Sequence, residues 1–397
     1  MKIRIEHGTD DVVLYLEGRL DTSTSQYTKQ EIDEKLADCG KITTLTCNLR
    51  LLDYISSSGL RILLTLAQTY KPFRLVEVQP AVYDVLEMTG FSKIMSVERA
   101  MRQLSIDGFD VIGRGGVGIV YRINDDTIIK VFREGTTLDE VRGEITMAKE
   151  TFVLGMPTAI SFDIVQVGTQ YGLIYELLRA DTLSACVRKE PQRMEEFAEK
   201  YASLFRQIHS ISVPADSKIP SAIENERKSI RHIARYFSDD DINLLLKIVD
   251  AIPASDRLLH LDLQSKNAMM QDGELMLIDM GEVGYGHPIL DLGHSYSAMM
   301  KLIGDYDAII GMPEAMSHDL WQRMADHYFE GLTPEMKAHR ITQIEVVSAV
   351  RNFSWLSLSD SFPEEVIHGC QEAFDERIRQ RKEYIFNVCQ TFSDWTL

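Results

Sequence analysis

The stretch that decides the fold reads His260-Leu-Asp262-Leu-Gln-Ser-Lys-Asn267 and continues through Leu275-Met-Leu-Ile-Asp279. It places three polar side chains, Asp262, Asn267 and Asp279, at fixed spacing around a short loop and an apolar, strand-like run. Phosphoryl transfer needs a carboxylate that accepts the proton of the acceptor hydroxyl and two oxygen ligands that hold Mg²⁺ against nucleotide phosphates. The pattern therefore predicts Asp262 as the catalytic base and Asn267 and Asp279 as ligands of Mg²⁺ or Mn²⁺.

A glycine-rich segment lies upstream of this stretch. Residues 113–121 read Gly-Arg-Gly-Gly-Val-Gly-Ile-Val-Tyr, with glycines at Gly113, Gly115, Gly116 and Gly118. A dinucleotide-binding fold needs a helix after such glycines, whereas residues 119–123 continue as a strand. The segment therefore predicts a strand-loop-strand flap whose backbone can approach phosphate oxygens without a Cβ in the way. A plain glycine-rich hairpin would show the same letters, so this motif alone leaves both interpretations open.

Twelve residues after the last of these glycines, Lys130 stands alone in the apolar, strand-like run 127–132. A lysine in such surroundings needs an anionic partner, which nucleotide phosphates would supply. The helix predicted over residues 139–152 offers Glu140, Glu144 and Glu150 as the carboxylate that holds the lysine. We choose Glu144 because it lies in the middle of the helix beside an apolar face, although each of the three could also be an ordinary solvated helix charge. The glycine loop and Lys130 precede the stretch from Asp262 to Asp279 in the order expected of a nucleotide site. This order argues against the alternative in which Asp262, Asn267 and Asp279 only form turns and caps.

With these elements in order, residues 109 to about 390 resemble the protein-kinase-like superfamily, specifically its aminoglycoside phosphotransferase and choline kinase branch. The likeness rests on the loop from His260 to Asn267, on Leu-Ile-Asp279, and on residues 286–293, which read Gly-His-Pro-Ile-Leu-Asp-Leu-Gly. Protein kinases usually have a lysine where this chain has Gln264, and they have an Ala-Pro-Glu segment that is missing here. Both departures favour the small-molecule branch, although the glycine loop is more like that of a protein kinase.

The resemblance implies further site residues. The backbone of Glu176, Leu177 and Leu178 would form the hinge that binds the adenine base. His260 and Asp291 would support the catalytic loop without taking part in the chemistry. The implied architecture is a β-rich small lobe with the hinge at residues 105–178, followed by a helical large lobe with the acceptor site at residues 179–397.

The first hundred residues form a separate module. Short β patterns alternate with amphipathic helical patterns, which predicts an α/β fold, and a helical signal over residues 97–104 reads as its last element. Residues 105–108, Ser-Ile-Asp-Gly, read as the boundary. Charge changes at the same place: residues 1–105 hold 13 basic and 14 acidic side chains, a net charge of −1, and the remainder holds 29 and 46, a net charge of −17.

Residues 1–104 resemble a STAS domain, the anti-anti-sigma-factor fold. The likeness rests on Leu-Glu-Gly-Arg-Leu-Asp at residues 16–21 and on Leu-Asp-Tyr-Ile-Ser-Ser-Ser-Gly-Leu at residues 52–60. The resemblance implies a protein partner and makes Ser58 the match for the serine that a partner kinase phosphorylates. A phosphate there would meet the unpaired N–H groups at a helix start. The family usually has Asp where this chain has Ser56, and an ordinary run of N-cap serines is the alternative interpretation.

The composition limits the function classes. A chain of 397 residues with 45% hydrophobic and 26% charged residues is globular rather than disordered or fibrous. A formal charge of −18 disfavours non-specific binding to nucleic acid or anionic lipid. The five cysteines are scattered without a Cys-x-x-Cys pair, and no apolar run reaches the length of a membrane span. We therefore expect a cytoplasmic protein that neither inserts into membranes nor binds nucleic acid.

These observations predict an α+β, two-domain chain: a STAS-like α/β domain followed by a bilobal kinase-like domain. We expect an ATP- or GTP-dependent phosphotransferase that acts on a small hydroxyl compound. The acidity of the second part suits a cationic acceptor, such as an amino sugar or amino alcohol. Two alternatives remain: a protein kinase that phosphorylates Ser58 in its own or a partner STAS domain, and a non-catalytic nucleotide-binding adaptor. The intact set Lys130, Asp262, Asn267 and Asp279 argues against the adaptor.

Overall fold

The structure is a computed structural model that describes residues 1–8, 11–302, 304–359 and 362–395. It divides into two compact units, Met1–Leu104 and Ser105–Leu397. The first unit is α/β, and the second begins with a sheet and continues mainly as helices. This confirms the predicted α+β, two-domain fold class.

The first unit is built on one sheet. Its strands are β1 (Lys2–His7), β2 (Asp11–Leu20), β3 (Thr44–Ile55), β4 (Phe73–Val78) and β5 (Ser96–Arg99), and they pair in that order. β1 is antiparallel to β2, and the other pairs are parallel. Helices α1 (Thr22–Ala37), α2 (Ser57–Thr69) and α3 (Pro80–Met88) connect the parallel strands, and a 3-10 turn (Phe91–Lys93) lies between α3 and β5. A short strand, β6 (Arg102–Gln103), follows β5 in sequence and is not part of this sheet.

The prediction of a helix over residues 97–104 is wrong. Val97 pairs with Leu75 of β4, and Arg99 pairs with Val78, so this segment supplies the last parallel strand of the sheet. The spacing of its apolar residues is compatible with a helix, but pairing with a neighbouring strand outweighs local periodicity over so few residues. The sequence reasoning also missed β1, in which Ile3 pairs with Leu16 and Ile5 with Leu14.

Helix α2 begins where β3 ends, at a tightly packed glycine. The N-cap residue Ser56 accepts a hydrogen bond from the backbone N–H of Gly59 (3.4 Å), and the helix buries Leu63 and Leu66. A Cβ on Gly59 would lie 2.7 Å from Leu20 Cγ and 2.9 Å from the Leu20 carbonyl oxygen. The start of the helix therefore packs directly against the end of β2, and the sequence needs glycine at this position for lack of space.

We predict that Gly59→Ala destabilises the first unit by about 1–3 kcal/mol, because the added methyl overpacks this contact. All three tryptophans, at positions 321, 355 and 395, belong to the second unit. In urea unfolding, the variant should shift the circular dichroism transition to lower urea and leave the tryptophan fluorescence transition in place.

Gly8→Ala is the matched control, since its Cβ would meet only the Asp11 carbonyl oxygen at 3.9 Å. Equal unfolding midpoints for the two variants would show that the space around Gly59 does not limit stability.

The sheet of the second unit is antiparallel. Its strands are β7 (Asp110–Arg114), β8 (Gly118–Arg122), β9 (Thr127–Phe132), β10 (Ser161–Val167) and β11 (Gln170–Glu176), and they pair in the order β7-β8-β9-β11-β10. Helix α4 (Leu138–Val153) lies between β9 and β10 in sequence and begins with a capping box formed by Thr137 and Glu140. Its buried residues Val141 and Ile145 pack on the sheet against Leu173.

The remainder is mainly helical. The helices are α5 (Leu183–Lys189), α6 (Met194–Ser210), α7 (Ala222–His232), α8 (Asp239–Asp250), α9 (Pro288–Met300), α10 (Tyr306–Ile309), α11 (Glu314–Tyr328), α12 (Pro334–Ser354), α13 (Glu364–Arg377) and α14 (Lys382–Cys389). Short strands lie between α4 and α9: β12 (Asp181–Thr182), β13 (Arg257–Leu259), β14 (Ala268–Gln271), β15 (Glu274–Leu277) and β16 (Gly284–Gly286). β14 pairs with β12 and β15, and β13 pairs with β16. Among the helices of the described ranges, none is both long and apolar enough to cross a membrane.

Helix α9 forms the centre of this part. It is buried along almost its whole length. Gly293 allows close approach to α12, because a Cβ there would lie 2.9 Å from Val347 Cγ1 and 3.3 Å from the Ser348 nitrogen. Asp291 is thereby fixed inside the core, directly beneath the loop that follows β13.

Candidate active site

The loop that follows β13 is fixed by the buried carboxylate of Asp291. The backbone N–H groups of His260 and Leu261 donate to its Oδ2 and Oδ1, at 3.0 and 2.8 Å. Leu261 has φ +62°, a left-handed conformation that side chains other than Gly, Asn and Asp rarely adopt. The two hydrogen bonds stabilise this strained turn, and the turn presents the next residue, Asp262, to the site.

Asp262 and Asn267 contact each other across this loop. The side-chain nitrogen of Asn267 donates to the carbonyl oxygen of Asp262 (2.8 Å) and to its carboxylate Oδ2 (2.7 Å). These bonds use the amide donors and orient the Asn267 side chain, while its Oδ1 carries lone pairs for another ligand. The backbone N–H of Ile278 donates to the Asn267 carbonyl oxygen (3.0 Å), which brings the following residue, Asp279, back beside the loop.

Burial raises the pKa of Asp262 to about 6. Electrostatic interactions with Arg351 and His260 oppose this rise, and the carboxylates of Asp279 and Glu282 add to it. A carboxylate with this pKa is ionised at neutral pH and has more basic strength than an ordinary aspartate. The environment of Asp262 therefore suits a group that accepts a proton.

Lys130 joins the sheet of the second unit to Asp279. Its Nζ lies 2.9 Å from Glu144 Oε1 and 3.3 Å from Asp279 Oδ1. Burial opposes its charge, but the carboxylates of Asp279 and Glu144 outweigh burial and hold the pKa of Lys130 above its usual value. The hydroxyl of Tyr175 also donates to Glu144 Oε1 (2.7 Å), so this carboxylate is fixed from two sides.

Among the three glutamates considered for Lys130, the structure places Glu144 against it. Glu140 belongs to the capping box of α4, where its Oε2 accepts from the backbone N–H and the hydroxyl of Thr137. Glu150 accepts a hydrogen bond from the Ser217 hydroxyl (3.1 Å).

The four glycines of the β7–β8 hairpin differ in what surrounds them. A Cβ on Gly118 would lie 2.2 Å from the Val131 carbonyl oxygen, so the sheet itself requires this glycine. On Gly113 a Cβ would make ordinary contact with Val120 at 3.6 Å. Gly115 and Gly116 would meet no atom closer than 4.0 Å. Packing within the chain therefore accounts for Gly118 but not for the two glycines at the tip of the loop.

The predicted hinge follows β11. The backbone N–H of Glu176 donates to the Ile160 carbonyl oxygen (2.9 Å), and that of Leu177 donates to the Asp126 carbonyl oxygen (2.8 Å). The side chain of Leu178 is buried. These hydrogen bonds fix the segment where the sheet ends and the helical part begins.

The donor set suits a hard divalent cation. Asn267 and Asp279 offer amide and carboxylate oxygens, the ligands that Mg²⁺ prefers. Within the described ranges, no group of three or more His, Cys, Asp and Glu side chains is arranged to hold a metal. Two protein ligands are what a magnesium site shared with nucleotide phosphates requires, because the phosphates and water fill the other positions.

Ser58 lies in the first unit, in the first turn of α2, and is half-buried. The cap of this helix is Ser56, whose hydroxyl accepts from Gly59. Ser56 and Ser58 therefore occupy different positions in the serine run, and only Ser56 serves as the N-cap.

The structure also shows site residues that the sequence reasoning missed. His209, near the end of α6, lies with Nε2 3.1 Å from Asp291 Oδ2. Arg351 of α12 lies 3.6 Å from Glu282 and acts electrostatically on Asp262. Both come from helices distant in sequence from the loop, and the only local signal was a polar residue on the apolar face of a helix.

We predict that Asp291→Asn destabilises the second unit by about 2 kcal/mol or more, since an amide would turn a donor toward backbone N–H groups and leave buried donors unsatisfied. Urea unfolding followed by tryptophan fluorescence would measure the loss. The control is Asp216→Asn, which makes the same chemical change at an exposed position. A midpoint for Asp291→Asn that matches the control would contradict the supporting role of this carboxylate.

Comparisons with known proteins agree with the two-part division. A family model, "Phosphotransferase enzyme family", matches residues 113–327, and a STAS domain model matches residues 2–104. An "Anti-sigma F factor antagonist" from Paenibacillus polymyxa is 30% identical over 103 residues, which are 24% of this chain and 86% of that protein.

Three of the solved structures to which this chain is similar are the following. A choline/ethanolamine kinase family protein from Mesorhizobium loti is 12% identical, with 71% of this chain and 92% of that chain covered and a TM-score of 0.48. The ADP-bound aminoglycoside phosphotransferase APH(2'')-Ib is 12% identical, with 68% and 92% covered and a TM-score of 0.45. Aminoglycoside phosphotransferase APH(3'')-Id from Streptomyces rimosus is 15% identical, with 61% and 93% covered and a TM-score of 0.41.

Proposed function

Since this chain belongs to the phosphotransferase enzyme family and carries a STAS domain at residues 2–104, we propose that it transfers the γ-phosphate of ATP or GTP to the hydroxyl group of a small molecule. One observation carries the proposal. Lys130 and Asp279 meet at 3.3 Å, although 149 residues separate them in sequence, and Asn267 contacts Asp262 within the adjoining loop. These are the side chains that phosphoryl transfer needs in one place.

In the proposed mechanism, Lys130 binds nucleotide phosphates while Glu144 keeps its ammonium group in position. Mg²⁺ bound by Asn267 and Asp279 would neutralise charge on those phosphates. Asp262 accepts the proton of the acceptor hydroxyl, whose oxygen attacks the γ-phosphorus. The bond between the γ-phosphorus and the β-γ bridging oxygen breaks, and the products are a phosphomonoester and ADP or GDP.

The proposed nucleotide site continues on both sides of Lys130. The glycine loop from Gly113 to Gly118 would cover the phosphates, and the open space around Gly115 and Gly116 supports close approach of their backbone to a ligand. The backbone of Glu176 and Leu178 would bind the purine base, since this segment lies at the end of β11.

The acceptor site is proposed next to Asp262. Gln264 follows it by two residues, and its buried Oε1 has no hydrogen-bond partner within the described part of the chain. A buried acceptor atom left alone is costly, so a donor on a ligand, such as a hydroxyl or ammonium group, would stabilise it. Asp262 and Glu282 also favour a cationic group, although Arg351 balances part of their charge. The acceptor proposed here is therefore a small hydroxyl compound that carries an ammonium group.

The STAS domain is proposed to bind a protein partner. A second reaction is favoured by one observation, the place of Ser58 in the first turn of α2, where backbone N–H groups stabilise a phosphate. In that reaction the kinase-like domain would phosphorylate Ser58 of its own STAS domain or the matching serine of a partner STAS domain. We favour the small acceptor because Gln264 replaces the lysine that protein kinases place beside the catalytic Asp.

The test is nucleotide turnover with Mg²⁺, measured against amino sugars, amino alcohols and nucleosides, together with mass spectrometry of the protein. A small acceptor should stimulate turnover equally in wild type and Ser58→Ala, without a phosphopeptide. A stoichiometric, Asp262-dependent phosphate on Ser58 would instead establish the second reaction. Turnover that no acceptor stimulates, with no phosphate on the protein, would contradict both.

We predict that Asp262→Asn and Lys130→Ala fail in different ways. Asp262→Asn should abolish phosphoryl transfer and leave nucleotide affinity within about a few-fold, because this side chain addresses the acceptor. Lys130→Ala should weaken nucleotide binding, because the phosphates lose their ammonium partner. Calorimetric titration with ATP and Mg²⁺ separates the two effects from turnover.

Excess EDTA and Asp279→Asn should each remove turnover. Lys228→Ala, at an exposed position of α7 away from the proposed phosphate contacts, is the control for Lys130→Ala. Equal loss of nucleotide affinity in Asp262→Asn and Lys130→Ala would contradict this division of roles. So would full turnover in EDTA.

We predict an acid limb in the pH profile of kcat/KM, with an apparent pKa near 6. Protonated Asp262 cannot accept the hydroxyl proton, so activity should fall about tenfold per pH unit below this value and level off above it. Glu282→Gln removes a negative neighbour and should move the limb to lower pH. Arg351→Gln removes a positive neighbour and should move it to higher pH.

Glu364→Gln, at the start of α13, is the control that should leave the profile unchanged. Identical acid limbs in wild type and both charge variants would show that another group controls the profile.

The raised pKa of Asp262 also affects the stability of the protein. The native state takes up this proton more readily than the unfolded chain, so the contribution of Asp262 to stability falls as pH rises from about 4 to about 6.

A further inference from the structure

A cavity lies in the helical part, and one of its lining residues, His209, contacts Asp291. Its volume is about 510 Å³, and it opens between α6, β13, the end of α11 and the start of α12. None of its lining residues belongs to the proposed nucleotide or acceptor site. The proposed reaction therefore leaves this cavity without a role.

The cavity collects positive charge in an acidic part of the chain. Arg206, Arg257 and Arg340 line it, and Glu330 is the single carboxylate among its lining residues. Residues 106–397 as a whole hold 29 basic and 46 acidic side chains. Three guanidinium groups around one space are a strong local departure from that balance, and they favour an anion there.

Uncharged oxygens make the shortest contacts of these arginines. Arg206 donates to the His327 carbonyl oxygen, and Arg257 donates to the hydroxyl of Ser212 (2.9 Å), with the Asp256 carboxylate farther away at 3.8 Å. A guanidinium group has five N–H donors, so both side chains retain donors for a ligand.

Arg340 is the most buried of the three, with 8% of its surface exposed. It donates to Gln343 Oε1 (3.0 Å) and to the Asp394 carbonyl oxygen (2.7 Å). Burial lowers the pKa of Arg340 from its usual value, although the Asp394 carboxylate opposes this. A buried cation held mainly by neutral oxygens gains stability from an anionic partner.

An aromatic wall stands beside the arginines. Tyr328, Phe329 and Trp395 line the cavity, and the ring centroids of Phe329 and Trp395 lie 5.5 Å apart. The guanidinium carbon of Arg340 lies 5.0 Å from the centroid of the Trp395 ring. Such a wall binds a flat apolar body, and the arginines bind the charged group attached to it.

His209 connects this cavity to the catalytic loop. It lines the cavity, its Nδ1 lies 2.8 Å from the Tyr328 hydroxyl, and its Nε2 lies 3.1 Å from Asp291 Oδ2. The same oxygen of Asp291 accepts from the backbone N–H of His260. A ligand that orders Tyr328 and His209 would thus stabilise the carboxylate that holds the loop.

We propose that this cavity binds a small aromatic anion, with a phosphate or carboxylate on the arginines and the ring against Tyr328, Phe329 and Trp395, and that binding orders the catalytic loop through His209. This site is separate from the proposed phosphotransferase site, and its test does not depend on turnover.

The binding test uses phenyl phosphate, benzoate, inorganic phosphate and the neutral compound benzyl alcohol, titrated calorimetrically into the full chain. Phenyl phosphate or benzoate should bind more tightly than inorganic phosphate and benzyl alcohol. The double variant Arg206→Gln/Arg257→Gln should weaken this binding by about tenfold or more, since charge-assisted hydrogen bonds are lost. Arg231→Gln, an exposed arginine outside the cavity, should bind as wild type does.

The coupling test is hydrogen exchange of the backbone amides at His260 and Leu261. Saturating phenyl phosphate or benzoate should slow their exchange in wild type and in Arg231→Gln. Tyr328→Phe, which removes only the hydroxyl beside His209, should reduce this effect while the compound still binds.

Three results would overturn the proposal: no binding of either aromatic anion, binding that the double arginine variant leaves unchanged, or amide exchange at the loop that binding does not alter. Binding of inorganic phosphate as tight as that of phenyl phosphate would overturn the role of the aromatic wall.

Discussion

The carboxylate of Asp291 is the group on which the geometry of the site depends. It is fully buried, and burial alone would raise its pKa, but hydrogen bonds from His209 and from the backbone N–H of His260 hold this pKa below the usual value. The backbone N–H of Leu261 donates to the same carboxylate. A buried charge persists only where donors surround it. Two of these donors, the backbone N–H groups of His260 and Leu261, belong to the turn that carries Asp262, so the requirement to satisfy Asp291 also determines where the proposed base lies.

A second constraint acts through charge. Lys130 contacts both Glu144 and Asp279, and these carboxylates keep it protonated in a mostly buried position. Asp262 has the opposite balance, since burial and the carboxylates of Asp279 and Glu282 raise its pKa to about 6. Lys130 is thus kept as a cation, and Asp262 is made a stronger base than an ordinary aspartate. Ionisable side chains whose pKa values are shifted by burial and by neighbouring charges are typical of catalytic sites.

The sequence predicted well what depends on short spacing. Asp262 and Asn267 are five residues apart, and their mutual hydrogen bonds lie within one loop. The limit appears where contacts join distant helices: no local pattern ties His209 or Arg351 to a loop more than 50 residues away. Glu140 could have been excluded from the sequence, since Thr137-x-x-Glu140 is a capping box signature. The error at residues 97–104 has the same origin, because pairing with β4 is decided by a strand about 20 residues upstream.

In the proposed function, Lys130, Asn267 and Asp279 together hold a nucleotide and its metal beside Asp262. A crystal structure of the full chain with Mg²⁺ and a non-hydrolysable ATP analogue tests this claim most directly. We expect phosphate oxygens within hydrogen-bond distance of Lys130 Nζ and Mg²⁺ bound by oxygens of Asn267 and Asp279. A nucleotide bound elsewhere, or a metal that neither of these residues ligates, would contradict it.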